Sequence, residues 1–372
     1  ASIFTKNKYY KILIMPVVLP PQFIKDFSGG QVNSVNENVV PKNTVALGLN
    51  VDFDVEIGSA VTRLGTAIVS TQLENNKTIL GLHDFQYGTS SGKLLAVVNN
   101  SGDTQAVIED VESQGAITGW TAQTASTKTR FVTFLDSVLV INGVDAETSY
   151  NGTTVITTGG AFDLANIPSS NTVDIGIEWR NRVYLAGDTA EPSRLYYSSV
   201  PSAGAVSFTS GNGNVDVEPE DGNGVITGLG KVPGYLIIFK ERSMYRWNFD
   251  SAFPELLMHT GAASHESIIN AGGLCAFYSA ANQTRKGFYV TNGGRPQPIS
   301  HDRANNIKKW VDAIPQSFDA NVCGWGTETY FLWSIGDVTV DSVTYNNVVV
   351  KYNRVLDQWS VRSYPNEYRV FS

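Results

Sequence analysis

Short apolar stretches recur along the chain, each bounded by Gly, Asn, Asp or Ser. The clearest are Leu94–Val98, Val138–Ile141, Val183–Ala186, Tyr235–Phe239, Leu274–Ser279 and Thr329–Ser334. Each has strand-like company: Gln105–Ile108, Phe131–Leu135, Leu195–Ser198, Met244–Phe249, Gly287–Val290, and the pair Val348–Tyr352 and Gln358–Val361. Within them the pattern alternates. Tyr245, Trp247 and Phe249 share one face against Met244, Arg246 and Asn248, and Phe331, Trp333 and Ile335 share another. A period of two marks strands whose faces meet different environments. The principal runs begin near 94, 138, 183, 235, 274 and 330, at spacings of 44, 45, 52, 39 and 56. That is the size of one four-stranded propeller blade. The pattern therefore predicts an all-β chain, a β-propeller of about six irregular blades, with five to seven compatible with the strand count. A β-sandwich or barrel gives the same alternation and stays open at this level. No WD dipeptide is present, so these are not WD40 repeats.

One helix is predicted. Ile307, Trp310, Val311 and Ile314 form an apolar stripe at i, i+3, i+4 and i+7, with Ser300 or Asp302 as cap and Pro315 as terminator. The expected length is two to three turns. Residues 1–90 read as an N-terminal arm and docking region with the first strands, and residues 91–372 as the propeller. The apolar run Ile12–Leu19 follows Lys6, Lys8 and Lys11 but is broken by Pro16, Pro20 and Pro21. It is too short to cross a bilayer and reads as an extended arm lying along a neighbour. The terminal Tyr368–Ser372 reads as part of a strand that closes the ring.

Composition supports β structure: 34 Gly among 372 residues, 11% aromatics and only three Met. Gly tolerates positive φ in turns, and aromatics suit pleated surfaces. The net charge of −8 argues against a general nucleic-acid-binding surface, which needs clustered cations. It leaves room for a conduit through which DNA slides, whose wall is expected to be neutral or acidic. Cys275 and Cys323 stand alone, without a CxxC pair, and read as buried small apolar residues.

A search for chemistry yields no catalytic, cofactor-binding or metal residue. His83, His259, His265 and His301 lack the spacing of a metal site. His265-Glu266 opens like a zinc-protease motif, but position 269 is Ile. The run at 222–230, with Gly222, Gly224, Gly228 and Gly230, fits neither phosphate-binding pattern and reads as a turn entering a strand. Thr172–Trp179 partly matches an Asp-box, through Thr172, Asp174, Gly176 and Trp179, with Glu178 replacing Thr. The acidic groups Asp216, Glu218, Glu220 and Asp221, and Asp52, Asp54 and Glu56, do not fit an EF-hand loop and read as solvated.

Several segments, taken in order, resemble the β-propeller tail proteins of short-tailed bacteriophages, the nozzle or hub proteins below the portal and adaptor. They are Asp26–Gly30 (DFSGG) with Asn36–Val40, Leu49–Phe53 (LNVDF) and Arg63–Gly65; Phe131–Gly152, with its NG and YNG turns; Glu178–Ala186; Ala262–Gly273; Phe288–Gly293; and Val349–Trp359. They cover about two-thirds of the chain, while residues 1–24 have no counterpart. The resemblance implies a structural virion protein, not an enzyme. It implies a homo-oligomeric ring of six or twelve copies around the DNA channel, with other tail and portal or adaptor proteins as partners. It transfers no cofactor, membrane segment or site residue, and genome DNA passes without sequence-specific binding. Two alternatives remain. A glycan- or receptor-binding propeller is motivated by Trp247, Trp325 and Trp333. A propeller glycosidase needs two carboxylates within a shared cleft.

Overall fold

The computed structural model describes residues 26–32, 43–45, 47–53, 59–63, 78–89, 91–100, 102–112, 115–120, 122–168, 172–209, 213–222, 224–281, 285–301 and 306–365. These residues form a β-propeller of six antiparallel sheets, or blades, each a meander in which successive strands pair. Blade 1 comprises Ile79–Tyr87, Ser91–Asn99, Gln105–Asp110 and Gly115–Ala116, with Gln123–Thr124 added. Blade 2 comprises Arg130–Phe134, Ser137–Ile141, Thr148–Tyr150 and Val155–Ile156. Blade 3 comprises Ile175–Trp179, Arg182–Ala186, Arg194–Tyr197 and Gly213–Asp216. Blade 4 comprises Ile226–Val232, Tyr235–Lys240, Met244–Trp247 and Glu255–Met258. Blade 5 comprises Ile269–Ala271, Leu274–Ser279, Gly287–Thr291 and Gln297–Pro298. Blade 6 comprises Cys323–Gly326, Tyr330–Val340, Val343–Asn353 and Gln358–Arg362.

From blade 1 to blade 6, the first strands of successive blades lie side by side, so they form the inner ring. The second strands are packed on both faces, and Ser137–Ile141 is buried throughout. Alternate side chains of one strand enter different seams. Tyr245 and Trp247 join the cluster between blades 3 and 4, while Met244 joins the one between blades 4 and 5. The 5–6 seam is the largest, gathering Phe288, Trp310, Phe331, Trp333 and Trp359. The inner ring is crowded, and glycine answers this. A Cβ at Gly324 or Gly326 would come within 2.7 Å of Ile269 on blade 5, and one at Gly230 within 2.6 Å of Cys275 Sγ. Gly228 and Gly230 lie within an inner strand of blade 4 as packing residues, and Gly222 and Gly224, at positive φ, precede it, as the reading of a turn entering a strand expects.

The helix is shorter than its apolar stripe suggested. It spans Lys308–Asp312, with no side-chain cap. The Ser300 hydroxyl instead accepts from the Phe288 amide at 2.9 Å, and Asp302 lies outside the described residues. The stripe itself is right: Ile307, Trp310, Val311 and Ile314 are all buried in the 5–6 cluster. Packing, not helix length, fixes them.

The first strands expected within residues 1–90 include Ile79–Tyr87, so blade 1 spans the 90/91 boundary. The described part of the N-terminal region docks on its own chain. Leu49 pairs in parallel with Val361 on the outer strand of blade 6, and the Asn50 amide donates to the Val361 carbonyl at 2.9 Å. The Asp52 carboxylate meets Arg362 at 2.9 Å and Lys351 at 3.8 Å, and Gln358 donates to the Ser28 carbonyl. Residues 1–24 and Tyr368–Ser372, read above as an arm and a closing strand, lie outside the described residues.

Candidate functional site

The starts of the inner strands converge at one end of the propeller axis. Arg130 opens the inner strand of blade 2. Its Nε donates to Glu266 Oε1 at 2.6 Å, and its Nη1 donates to Asp174 Oδ2 at 2.6 Å and to the Asp174 carbonyl at 2.9 Å. Asp174 immediately precedes the inner strand of blade 3. Glu266 lies in a 3-10 turn just before blade 5. One guanidinium thus joins blade 2 to its neighbour and, across the axis, to blade 5. Beside it, Lys128 Nζ donates to the Ala320 carbonyl at 3.0 Å, linking the entry to blade 2 with the turn before blade 6.

Burial and charge oppose each other here. Burial raises a carboxyl pKa, and a nearby guanidinium lowers it. For Glu266 the effect of burial is overcome by Arg130, and the carboxyl is held down to about 2. For Asp174 burial prevails and the pKa is raised, with Arg130 opposing. Oε2 of Glu266 is buried without a hydrogen-bond partner. His265, the residue before it, accepts from the Leu229 amide at Nδ1 (3.2 Å), and burial followed by the Arg130 charge lowers its pKa to about 4. The two carboxylates that a glycosidase would need are therefore brought together, but Arg130 occupies the space between them and binds both.

The other candidates separate. His83 stacks on Phe131 at 5.1 Å and bonds Thr133 Oγ1 at 2.6 Å in the 1–2 seam, where burial lowers its pKa to about 4. His301 lies edge-on to Tyr289, and the His259 carbonyl accepts from Arg285. No group of three or more His, Cys, Asp or Glu able to hold a metal occurs among the described residues. Cys275 is buried and Cys323 half-buried, and burial raises both thiols, Cys323 to about 11. The acidic run at 216–221 is not simply solvated. Asp216 pairs with Arg194 at 2.7 Å, and Asp221 accepts from the fully buried Lys240 at 2.9 Å. Lys240 also donates to Ser193 and to the Glu218 carbonyl, so the charge is enclosed and satisfied between blades 3 and 4. Asp52 serves the N-terminal dock; Asp54 and Glu56 are outside the described residues.

Thr172–Trp179 is not an Asp-box. It runs into the innermost strand of blade 3, not around an outer turn, and Asp174 faces Arg130. Gly187, at φ +89°, lies hard against this carboxylate, where any side chain would collide with Asp174. Of the three tryptophans proposed for sugar stacking, Trp247 and Trp333 are core residues. Trp325 is 61% exposed.

Sequence reasoning missed the Arg130 tie. Its partners lie 44 and 136 residues away and no motif joins them. The only available signal is positional: each residue sits at or just before the start of a blade.

No protein-family model matches the chain, and no curated protein is similar to it in sequence. Solved structures similar in fold include the nidogen–laminin complex, 10% identical over 58% of this chain and 76% of that one, with a TM-score of 0.34. A second is PorZ, an essential surface component of the type-IX secretion system of Porphyromonas gingivalis: 13% identity, 78% of this chain, 39% of that chain, TM-score 0.37. A third is the extracellular domain of a putative one-component system from B. thetaiotaomicron: 11%, 74%, 46% and 0.38. The chain spans less than half the length of the last two. Likenesses this distant say nothing about what it binds or does.

Proposed function

We infer that this chain is a structural, non-catalytic propeller of a short-tailed bacteriophage tail, a nozzle or hub subunit. In this reading it forms a homo-oligomeric ring with portal, adaptor and other tail proteins as neighbours. The ring helps to retain and eject genome DNA without sequence-specific binding. The observation that carries the reading is the order of tail-like segments along the chain, several of which coincide with strand pairs of blades. Phe131–Gly152 forms most of blade 2, Glu178–Ala186 the inner hairpin of blade 3, and Val349–Trp359 the outer pair of blade 6. The axial tie supports it indirectly. Arg130 spans from blade 2 to Glu266 before blade 5, which makes each propeller a braced block whose own axis is crossed by side chains. DNA would then pass through the hole of the assembled ring. A closed ring of heterologous contacts between such blocks gives a stiff collar.

Electron microscopy of the purified protein, and of particles carrying it, tests this reading. The expected result is a ring of six or twelve copies at the distal end of the tail. A stable monomer that is absent from virions overturns it.

A further inference from the structure

The seam between blades 6 and 1 differs from the other five. Elsewhere the neighbouring inner strands pack directly, whereas those of blades 1 and 6 do not adjoin in this way. The side chains that enter this seam follow from alternation. On blade 1, Gly81, His83 and Phe85 face blade 2: Gly81 against Thr129, His83 bonded to Thr133, Phe85 in a cluster with Val138 and Tyr150. Leu82, Asp84 and Gln86 therefore face blade 6, and all three are exposed. On blade 6, Gly324 and Gly326 face Ile269 of blade 5, so Cys323 and Trp325 face blade 1.

Further out both faces are covered. On blade 1, Ala96 and Val98 are fully buried; on blade 6, Lys351 and Ser360 are buried, and Asp52 of the N-terminal dock meets both. The residues that remain accessible on the two faces lie on the inner strands, toward the propeller axis. Trp325 stands on one face, 61% exposed and flanked by Tyr330 at 6.1 Å between ring centroids. Leu82, 45% exposed, and the Asp84–Gln86 pair, joined by a 2.6 Å hydrogen bond, stand on the other.

We propose that these two faces border an axial slot between blades 6 and 1 that binds a carbohydrate, with the C–H face of a pyranose ring on the Trp325 indole and ring hydroxyls bonded to Asp84 and Gln86. The composition of the walls selects the ligand class. An apolar protein side chain would cover Trp325 and Leu82 but desolvate the carboxylate and amide groups that the Asp84–Gln86 bond leaves unused, which is costly. A sugar offers an apolar face and a rim of hydroxyl donors and acceptors, which suits a wall of each kind. An anionic ligand is disfavoured by Asp84. The inference goes beyond the tail reading and does not depend on it.

The test uses the intact chain and its intrinsic fluorescence. Of its seven tryptophans only Trp325 is exposed, so collisional quenching by acrylamide reports mainly on this ring. Maltohexaose, chitotetraose and a mixed-linkage galactan are titrated, with saturation-transfer NMR read in parallel. At least one is expected to bind in the micromolar to millimolar range and to lower the quenching constant about twofold, as cover by one sugar ring removes contact with the quencher. W325A should abolish transfer and protection with no change in melting temperature. D84N should weaken binding about tenfold, the scale of one lost charge-assisted hydrogen bond. The proposal is overturned if none of the three sugars protects Trp325, if W325A binds as well as the parent chain, or if quenching falls with protein concentration alone. The last result would assign the slot to contact between copies. Ring assembly seen by microscopy is unaffected by any of these outcomes, so failure here and failure of the tail reading are separable.

Discussion

Replacing Arg130 by Met removes the charge that joins blades 2, 3 and 5 while keeping an unbranched apolar stem. The cost can be worked from Glu266. Its carboxyl has an ordinary pKa of 4.5 and is held down to about 2 in the fold, with Arg130 the principal favourable partner. A difference of that size corresponds to about 3 kcal/mol of net stabilisation of the ionised carboxylate, reached against burial, at roughly 1.4 kcal/mol per pKa unit, and sets the scale of the coupling to Arg130. Because the folded value is the lower one, this stability is fully present above the unfolded pKa of 4.5 and is lost as pH falls toward 2. Removing the cation also leaves two largely buried carboxylates facing each other. Breaking a buried pair from one side costs about 3–5 kcal/mol. Arg130→Met should therefore lower stability by that amount at pH 7, read as a fall in urea midpoint or melting temperature. Glu266→Gln in the same background should cost far less than in the parent chain. A double-mutant cycle should return a coupling of about 3 kcal/mol, within the range seen for contacting groups. The pH response changes sign as well: in Arg130→Met, mild acid should relieve the carboxylates instead of weakening the fold. A coupling below about 0.5 kcal/mol would refute the axial tie as a stabilising contact.

Three further outcomes follow from the buried charges. His83 and His265 each fall from 6.5 to about 4 on folding, so the unfolded chain takes up their protons first; stability is complete above pH 6.5 and declines toward pH 4, by up to about 3 kcal/mol per histidine. Urea midpoints measured across that window should show the loss, and a His83→Gln/His265→Gln chain with the same slope would contradict it. Lys240→Met strands Asp221 between blades 3 and 4 and should cost about 3–5 kcal/mol, whereas Lys240→Met with Asp221→Leu should recover most of it; calorimetry distinguishes the two, and equal melting temperatures would count against the enclosed pair. Asp52→Ala removes the partner of Arg362 and should speed proteolytic release of the N-terminal region while blades 1–6 melt as before; unchanged cleavage means that Leu49 and Gln358 hold the dock without it.

The six runs that stood out in the sequence are the second strands of the six blades. They are legible because they are buried on both faces, so nearly every position is apolar; Val138–Ile141 and Leu236–Phe239 are buried throughout. First strands are harder to see. Cys323–Gly326 and Ile226–Val232 are diluted with glycine because inner strands crowd at the axis, which hides where the turn before Ile226 gives way to the strand. The stripe at 307–314 marked buried positions correctly, but apolar spacing cannot tell a one-turn helix between loops from a longer one. The Arg130, Asp174 and Glu266 cluster was illegible for a different reason. Its members are ordinary charged residues whose meeting depends on closure of the ring. Trp325 was picked for its type alongside Trp247 and Trp333, and only the parity of its strand separates it from them.

How the ring closes bears on how it fails. A propeller often locks its ring by building one blade from both ends of the chain. Here all four strands of blade 6 come from 323–362, and the N-terminal residue Leu49 is added outside them, in parallel, at the edge. Among the described residues, blades 1 and 6 share no strand, and Leu82 and Trp325 on their inner strands are exposed. The connections that reach across are side-chain contacts at the axis: Lys128 to the Ala320 carbonyl, and Arg130 to Glu266. Each blade otherwise packs on its sequence neighbours, as in a linear repeat array, whose ends fray most readily. Opening should therefore begin at the 6–1 seam, and charge removal at Arg130 should lower protection of blades 1 and 6 before blades 3 and 4. Amide exchange resolved by blade would show this as earlier exchange in Ser91–Asn99 and Val343–Asn353 than in Arg182–Ala186. Uniform loss of protection across all six blades would mean that the seam is held by contacts stronger than these two.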